Sequence, residues 1–238
     1  MSRPTQRFRS IAFDAVGTLI HAEPSVTAAY AQIGQQFGSR LTADELRPRL
    51  GQLMQRPRPS DSPYDGREEG VTNECAEREF WQSVVRQALP DVSDSDRCFQ
   101  ELFEHFARPT SWRCFEDVAP TLMELRRRGY QILIASNFDA RLHSVCDGLP
   151  ELRDIPGRVI SSLVGYRKPH PFFFVRLVES AGCSPREILL VGDDFENDVQ
   201  AARNALLSAV HLRRDVSAEN LQRPHEVSRL TELLELLP

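Results

Sequence analysis

Ser10-Ile11-Ala12-Phe13-Asp14-Ala15-Val16-Gly17-Thr18-Leu19 is the stretch that decides the fold. An acid that closes a short apolar run and precedes Gly-Thr reads as a carboxylate at the C-terminal tip of a buried strand. Open α/β sheets build their sites at such tips. Three further apolar runs have the same form: 131–135 before Ser136, 158–160 before Ser161, and 187–191 before Gly192-Asp193. A fifth run, 206–212, follows an alanine-rich helical pattern. Between the runs, periodicity predicts helices over 118–128, 140–146, 171–181 and 196–205. Gly129 and Gly182 mark two of their ends and Pro171 marks a start. Strand–helix alternation of this kind predicts a doubly wound, Rossmann-like parallel sheet.

The interval between residues 13 and 131 far exceeds the roughly dozen residues that a crossover needs. Helices are predicted within it over 25–37, 44–54, 73–87 and 94–106. Asn73, with Glu77 behind it, has the pattern of a capped start. The reading is a helical cap inserted after the first strand, with a core of residues 1–21 and 109–238 and a cap of 22–108. Residues 57–66 form a proline-rich polar loop inside that cap. There is no internal repeat.

A chain of 238 residues suits one large domain or a core with a smaller insertion. Its formal charge of -5 offers no electrostatic footprint for nucleic acid, and Arg126-Arg127-Arg128 is expected to be a solvated helix face. The five cysteines are scattered without a Cys-x-x-Cys pair, so neither a zinc site nor a redox motif is supported, and a reducing compartment fits. No apolar run approaches the ~18 residues of a membrane helix, and no signal peptide is seen. The expectation is a soluble cytoplasmic protein, monomeric or homodimeric, without membrane partners. Trp81 and Trp112 are expected to be packing anchors. Asp139 and Arg141 are expected to cap and decorate a helix, and His21, His143, His170 and His211 to be structural or solvated.

In a parallel sheet the strand tips share one edge. That edge would gather Asp14, Ser136-Asn137, Asp193-Asp194 and, just beyond, Asp198, with Lys168 from the loop after the third strand. Converging carboxylates repel one another unless a cation compensates. Their hard oxygens suit Mg²⁺, which keeps waters and a substrate phosphate as further ligands. Lys168, Ser136 and Asn137 would bind a phosphoryl group of a small phosphorylated substrate.

These motifs, Asp14-Ala15-Val16-Gly17-Thr18-Leu19, Ala135-Ser136-Asn137, Lys168-Pro169 and Gly192-Asp193-Asp194-Phe195-Glu196-Asn197-Asp198, stand in an order and spacing that resemble the haloacid dehalogenase superfamily. Ser136-Asn137-Phe138-Asp139 is similar to its haloacid dehalogenase-like hydrolase domain-containing subgroup. The resemblance implies a helical cap between the first and second motifs. It implies that Asp14 is a nucleophile forming an aspartyl-phosphate. Asp14, the backbone carbonyl of Val16 and Asp193 would hold Mg²⁺, while Ser136 and Lys168 would hold the phosphoryl oxygens. Asp198, with Asp194, would play a supporting part.

The departure is Val16. Phosphatases of this family carry a second aspartate there, which protonates the leaving group, and general acid–base help is typically worth ~10²–10⁴ in rate. The resemblance therefore implies a Mg²⁺-dependent phosphatase-type hydrolase weakened at that step. Two alternatives stay open: a metal-independent 2-haloacid dehalogenase, and a non-catalytic relative that binds metal and phosphate.

Overall fold

The computed structural model describes residues 7–54, 70–221 and 225–237. The loop expected over 57–66 lies outside them. Strand β1 (Ser10–Phe13) leads through Asp14 to a short strand β2 (Ile20–Ala22). Helices α1 (Val26–Gln36), α2 (Ala43–Met54), α3 (Glu74–Ala88) and α4 (Ser95–His105) follow. The chain returns through β3 (Trp112–Cys114) to α5 (Val118–Arg127), β4 (Gln131–Ser136), α6 (Arg141–Gly148) and β5 (Gly157–Ile160). Then come α7 (Ser161–Val164), α8 (Pro171–Ala181), β6 (Ile188–Gly192), a π-helical turn (Phe195–Gln200) and α9 (Ala201–Asn204). Strands β7 (Ser208–Leu212) and β8 (Glu226–Val227) and helix α10 (Leu233–Leu236) close the chain.

The main sheet has the order β5-β4-β1-β6-β7-β8, and its pairings are parallel. Successive side chains of a strand point to opposite faces. Ile11 and Phe13 accordingly pack with Val118, Leu122 and Leu142 on one side, while Ala12 packs with Phe173 and Leu177 on the other. Helices on both faces explain why the strands read as continuous apolar runs rather than alternating ones. Connections leave β1 for β4 and β5 on one side and for β6 and β7 on the other. The strand order therefore reverses at β1, where α/β sheets open a crevice.

Helices α1 to α4 share an apolar cluster of their own, built around Tyr30, Leu46, Phe80, Val84, Phe99 and Leu102. Their starts follow from sequence. The Asn73 side chain accepts from the Ala76 N–H at 3.0 Å, and that of Asp94 from the Arg97 N–H at 3.0 Å. The chain enters and leaves these helices through the antiparallel ribbon of β2 and β3, in which Ile20 faces Cys114 and Ala22 faces Trp112. Three-residue strands are too short to show a period, so this ribbon leaves no mark in the residue pattern.

Three local expectations are corrected. The helix expected over 196–205 is a π-helical turn followed by one turn of α-helix. The last predicted run begins as strand only at Ser208, because Leu206 adopts a positive φ of 66°. Arg128 is not merely solvated: its Nη1 donates to the carbonyls of Leu234 at 2.8 Å and Leu237 at 2.6 Å, pinning α10 to α5. The described cysteines are free thiols. No helix among the described residues is long and apolar enough to cross a membrane.

Candidate active site

Asp14 leaves the tip of β1 with its N–H donated to the Val191 carbonyl at 2.9 Å, so the central strands β1 and β6 fix its backbone. Lys168 reaches it from the loop after α7. The Lys168 ammonium has three protons, and each has an acceptor: Asp14 Oδ1 at 2.7 Å, Asp198 Oδ1 at 2.5 Å and the Ala135 carbonyl at 2.8 Å. Its side chain is only 1% exposed. Burial opposes the charge, yet Asp14 and Asp198 outweigh it and hold the ammonium above its ordinary pKa. Lys168 is a cation inside the sheet edge.

Asp14, Asp193 and Asp198 place ligand oxygens within 4.8 Å of one another. Burial raises the Asp14 carboxyl against the pull of Lys168, and Asp193 adds to the rise. Asp198 is pushed up to about 6, first by burial and in part by Asp14. At the open mouth of the crevice, desolvation by its walls raises Asp193, with Asp198 contributing. Three carboxylates here face one ammonium, so the group carries surplus negative charge. Hard oxygen donors with surplus charge fit a divalent cation such as Mg²⁺.

Two glycines make the cluster possible. A Cβ on Gly17, whose φ is +90°, would lie 2.3 Å from Asp193 Oδ2. A Cβ on Gly192 would lie 2.1 Å from Asp198 Oδ2. The Thr18 hydroxyl donates to Asp193 Oδ1 at 3.0 Å and fixes that side chain from the other side. Asp198 turns back toward Lys168 from within the π-helical turn, a wide turn found often at functional sites.

Other sequence candidates take more varied places. Ser136, at the tip of β4, lines a small polar pocket of about 190 Å³ with Asp14, Lys168 and Asp193. Asn137 lines it too, but its amide mainly locks the lysine loop: Nδ2 donates to the Lys168 carbonyl at 2.9 Å, and Oδ1 accepts from the Lys168 N–H at 2.7 Å. Asp194 caps the π-helical turn, accepting from the N–H groups of Glu196 at 2.9 Å and Asn197 at 3.0 Å. Val16 is 39% exposed and borders both this pocket and a larger cavity of about 570 Å³ above it.

That cavity lies between the helical unit and the sheet edge. Its aromatic wall comes from Tyr30, Trp81, Phe99, Phe103, Phe106 and Trp112, with Phe138 nearer the strand tips. Trp81 is thus a cavity wall as well as a packing anchor. Arg141 also lines the cavity while bound to Asp139 through Nε at 2.8 Å and Nη2 at 2.7 Å. Arg167 lines it as well, paired with Glu77 of α3.

Sequence reasoning missed Arg214. Its Nη2 donates to the Thr18 carbonyl at 2.7 Å and its Nε to the Gly17 carbonyl at 3.2 Å. Asp117 holds it in turn through two contacts of 3.0 Å, and its guanidinium lies 3.8 Å above the Phe115 ring. Asp117 and Arg214 are 97 residues apart, so no local pattern reveals the clamp. His211 is structural as expected: its Nε2 lies 3.1 Å from the Asp193 carbonyl oxygen.

A crevice at the switch point of a doubly wound sheet, edged by carboxylates around a buried lysine, is where an α/β enzyme carries its chemistry. The comparison with known proteins narrows that class to a family. The profile of the haloacid dehalogenase-like hydrolases matches residues 8–205, and the chain belongs to that family of hydrolases. It is 27% identical over 202 residues to the human haloacid dehalogenase-like hydrolase domain-containing protein 3, covering 83% of this chain and 78% of that one. It is 29% identical over 153 residues to the phosphoserine phosphatase of Thermus thermophilus, covering 59% of this chain and 57% of the relative. Among solved structures, a HAD phosphatase from Thermococcus onnurineus superposes with a TM-score of 0.66 at 22% identity, over 96% of this chain and 97% of that one.

Proposed function

We propose that the protein is a phosphatase-type hydrolase of small phosphorylated substrates, with Asp14 as nucleophile. The observation that carries this reading is the clustering of Asp14, Asp193 and Asp198 at the sheet edge, with the Lys168 ammonium bound to Asp14 and Asp198. A carboxylate oxygen of Asp14 attacks phosphorus, and the ester P–O bond breaks with its electron pair going to the leaving oxygen. The aspartyl-phosphate is then attacked at phosphorus by water, which restores the Asp14 carboxylate and gives inorganic phosphate. Of the two protons of that water, one stays on the phosphate and one passes through solvent to the released alcohol. Lys168 holds Asp14 in place and offsets charge on the phosphoryl oxygens, and Ser136 adds a hydroxyl donor from the tip of β4.

Asp14, Asp193 and the backbone carbonyl of Val16 would hold Mg²⁺. When bound, that ion supplies charge neutralisation between the carboxylates and the incoming phosphate. Asp198 holds Lys168. The helical unit serves as a cap over the crevice, excluding water and selecting substrates. The supporting parallels are the family itself and a relative named as a phosphatase.

The test is phosphate release from 4-nitrophenyl phosphate with and without Mg²⁺, in the wild type and in Asp14→Asn. Mg²⁺-dependent release that Asp14→Asn brings to background is expected. Metal-independent halide release from 2-chloropropionate, with no phosphate released from the ester, would replace this reading with a dehalogenase.

A further inference from the structure

Val16 stands at the border of the polar pocket and the 570 Å³ cavity, and that position links two separate observations. The first is chemical. Val16 has no proton to give, so it offers a leaving oxygen no help in departing. An alkoxide is about as poor a leaving group as hydroxide, whose conjugate acid has a pKa of about 15.7. A phenol such as that of tyrosine has a pKa of about 10. An aryl oxide can leave unaided where an alkoxide cannot.

The second observation is the cavity that a leaving group would enter. Its volume falls within the roughly 300–1,000 Å³ usual for small-molecule sites. Asn137, Asp193, Asp194 and Asn197 belong to the strand-tip side, while the helices present Tyr30, Trp81, Phe99 and Phe103 and strand β3 presents Trp112. Both described cations of the lining are already engaged, Arg141 by Asp139 and Arg167 by Glu77. Among the described residues, a second anionic group would meet guanidinium ions that are already paired. A flat apolar group would meet aromatic walls, which favour offset and edge-on ring contacts.

We infer that the large cavity is a leaving-group site for aromatic phosphate monoesters, the aryl ring lying against Trp81, Phe103 and Trp112 while the phosphoryl group sits beside Asp14. This substrate class rests on the phosphatase reading of the site. In the step itself, the P–O bond to the aryl oxygen breaks, the aryl oxide takes the electron pair, and solvent supplies its proton.

Binding and turnover can be separated because phosphonates carry a C–P bond that this chemistry does not cleave. The probes are phenylphosphonate and ethylphosphonate, titrated calorimetrically into the Mg²⁺-loaded protein. The emission of Trp81 and Trp112, the two tryptophans of the chain, gives a second readout inside the cavity. Phenylphosphonate is expected to bind at least tenfold tighter than ethylphosphonate and to change the tryptophan emission. Val26 is half-buried on α1 and lines the cavity, so Val26→Phe should narrow it and erase the aryl preference. Equal affinity of the two phosphonates for the wild type would overturn the assignment whether or not the variant folds. So would an undiminished aryl preference in a folded Val26→Phe. An aryl preference without phosphate release from phenyl phosphate would remove the proposed chemistry and leave the cavity assignment standing. Turnover without aryl preference would do the reverse.

Discussion

Glu77 and Arg167 form a nearly buried ion pair that ties helix α3 to the loop carrying Lys168, with side-chain exposures of 2% and 15%. The Thr72 hydroxyl also donates to Glu77 Oε1 at 2.8 Å, and the Arg167 N–H donates to the Gly70 carbonyl at 2.7 Å. Glu77→Met would leave the guanidinium and the Thr72 hydroxyl without this carboxylate. Breaking a buried pair by removing one partner costs about 3–5 kcal/mol. Arg167 retains some access to water, so the lower end applies, about 3 kcal/mol. For a chain of this length, about 2–4 °C per kcal/mol makes that a fall in Tm of about 6–12 °C. Removing both charges, as Glu77→Met/Arg167→Met, replaces a desolvated pair by apolar side chains and should recover most of the loss. Urea denaturation of the wild type, both single variants and the double variant closes a cycle that isolates the coupling. A Glu77→Met midpoint equal to that of the wild type, or a double variant that costs the sum of the singles, would refute the reasoning.

Three other outcomes follow from the site and its surroundings. Gly192→Ala should expel Asp198 from its contact with Lys168 and bring hydrolysis down at least tenfold, while circular dichroism shows the secondary structure retained; full activity would mean that Asp198 is dispensable. Val16→Asp should raise turnover of alkyl phosphates toward the ~10²–10⁴ available from general acid–base catalysis and change aryl turnover much less, read as the ratio of kcat/KM for ethyl and phenyl phosphate. Burial pushes the Cys98 and Cys146 thiols up to about 11 and that of Cys114 up to about 12, whereas Cys75 is exposed. At pH 8 iodoacetamide should therefore modify Cys75 first, by mass spectrometry, and prior labelling of Cys98 or Cys146 would contradict their burial.

The chain's local patterns determined the parallel sheet and the residues at its edge. Strands buried on both faces must be apolar throughout, so the runs ending at Asp14, Ser136 and Gly192 were legible without coordinates, as was the cap of α3 at Asn73. Their tips fall on one edge in any doubly wound sheet, which is why Asp14, Lys168, Asp193 and Asp198 could be grouped before their distances were known. Tertiary structure alone decided which way each side chain turned. Asn137 lines the polar pocket, and its amide also bonds the Lys168 backbone, because the loop 31 residues later folds back against it. Arg214 reaches the Gly17-Thr18 turn from 196 residues away. The aromatic cavity needed α1, α3, α4 and the strand tips to meet, and each contributes rings that a linear reading assigns to packing. Periodicity reports which face of an element is apolar. It carries no information on whether that face closes against a neighbour or stops short of it, and the space left between α1–α4 and the sheet edge depends on how the β2–β3 ribbon and the Glu77–Arg167 pair set the helices above it.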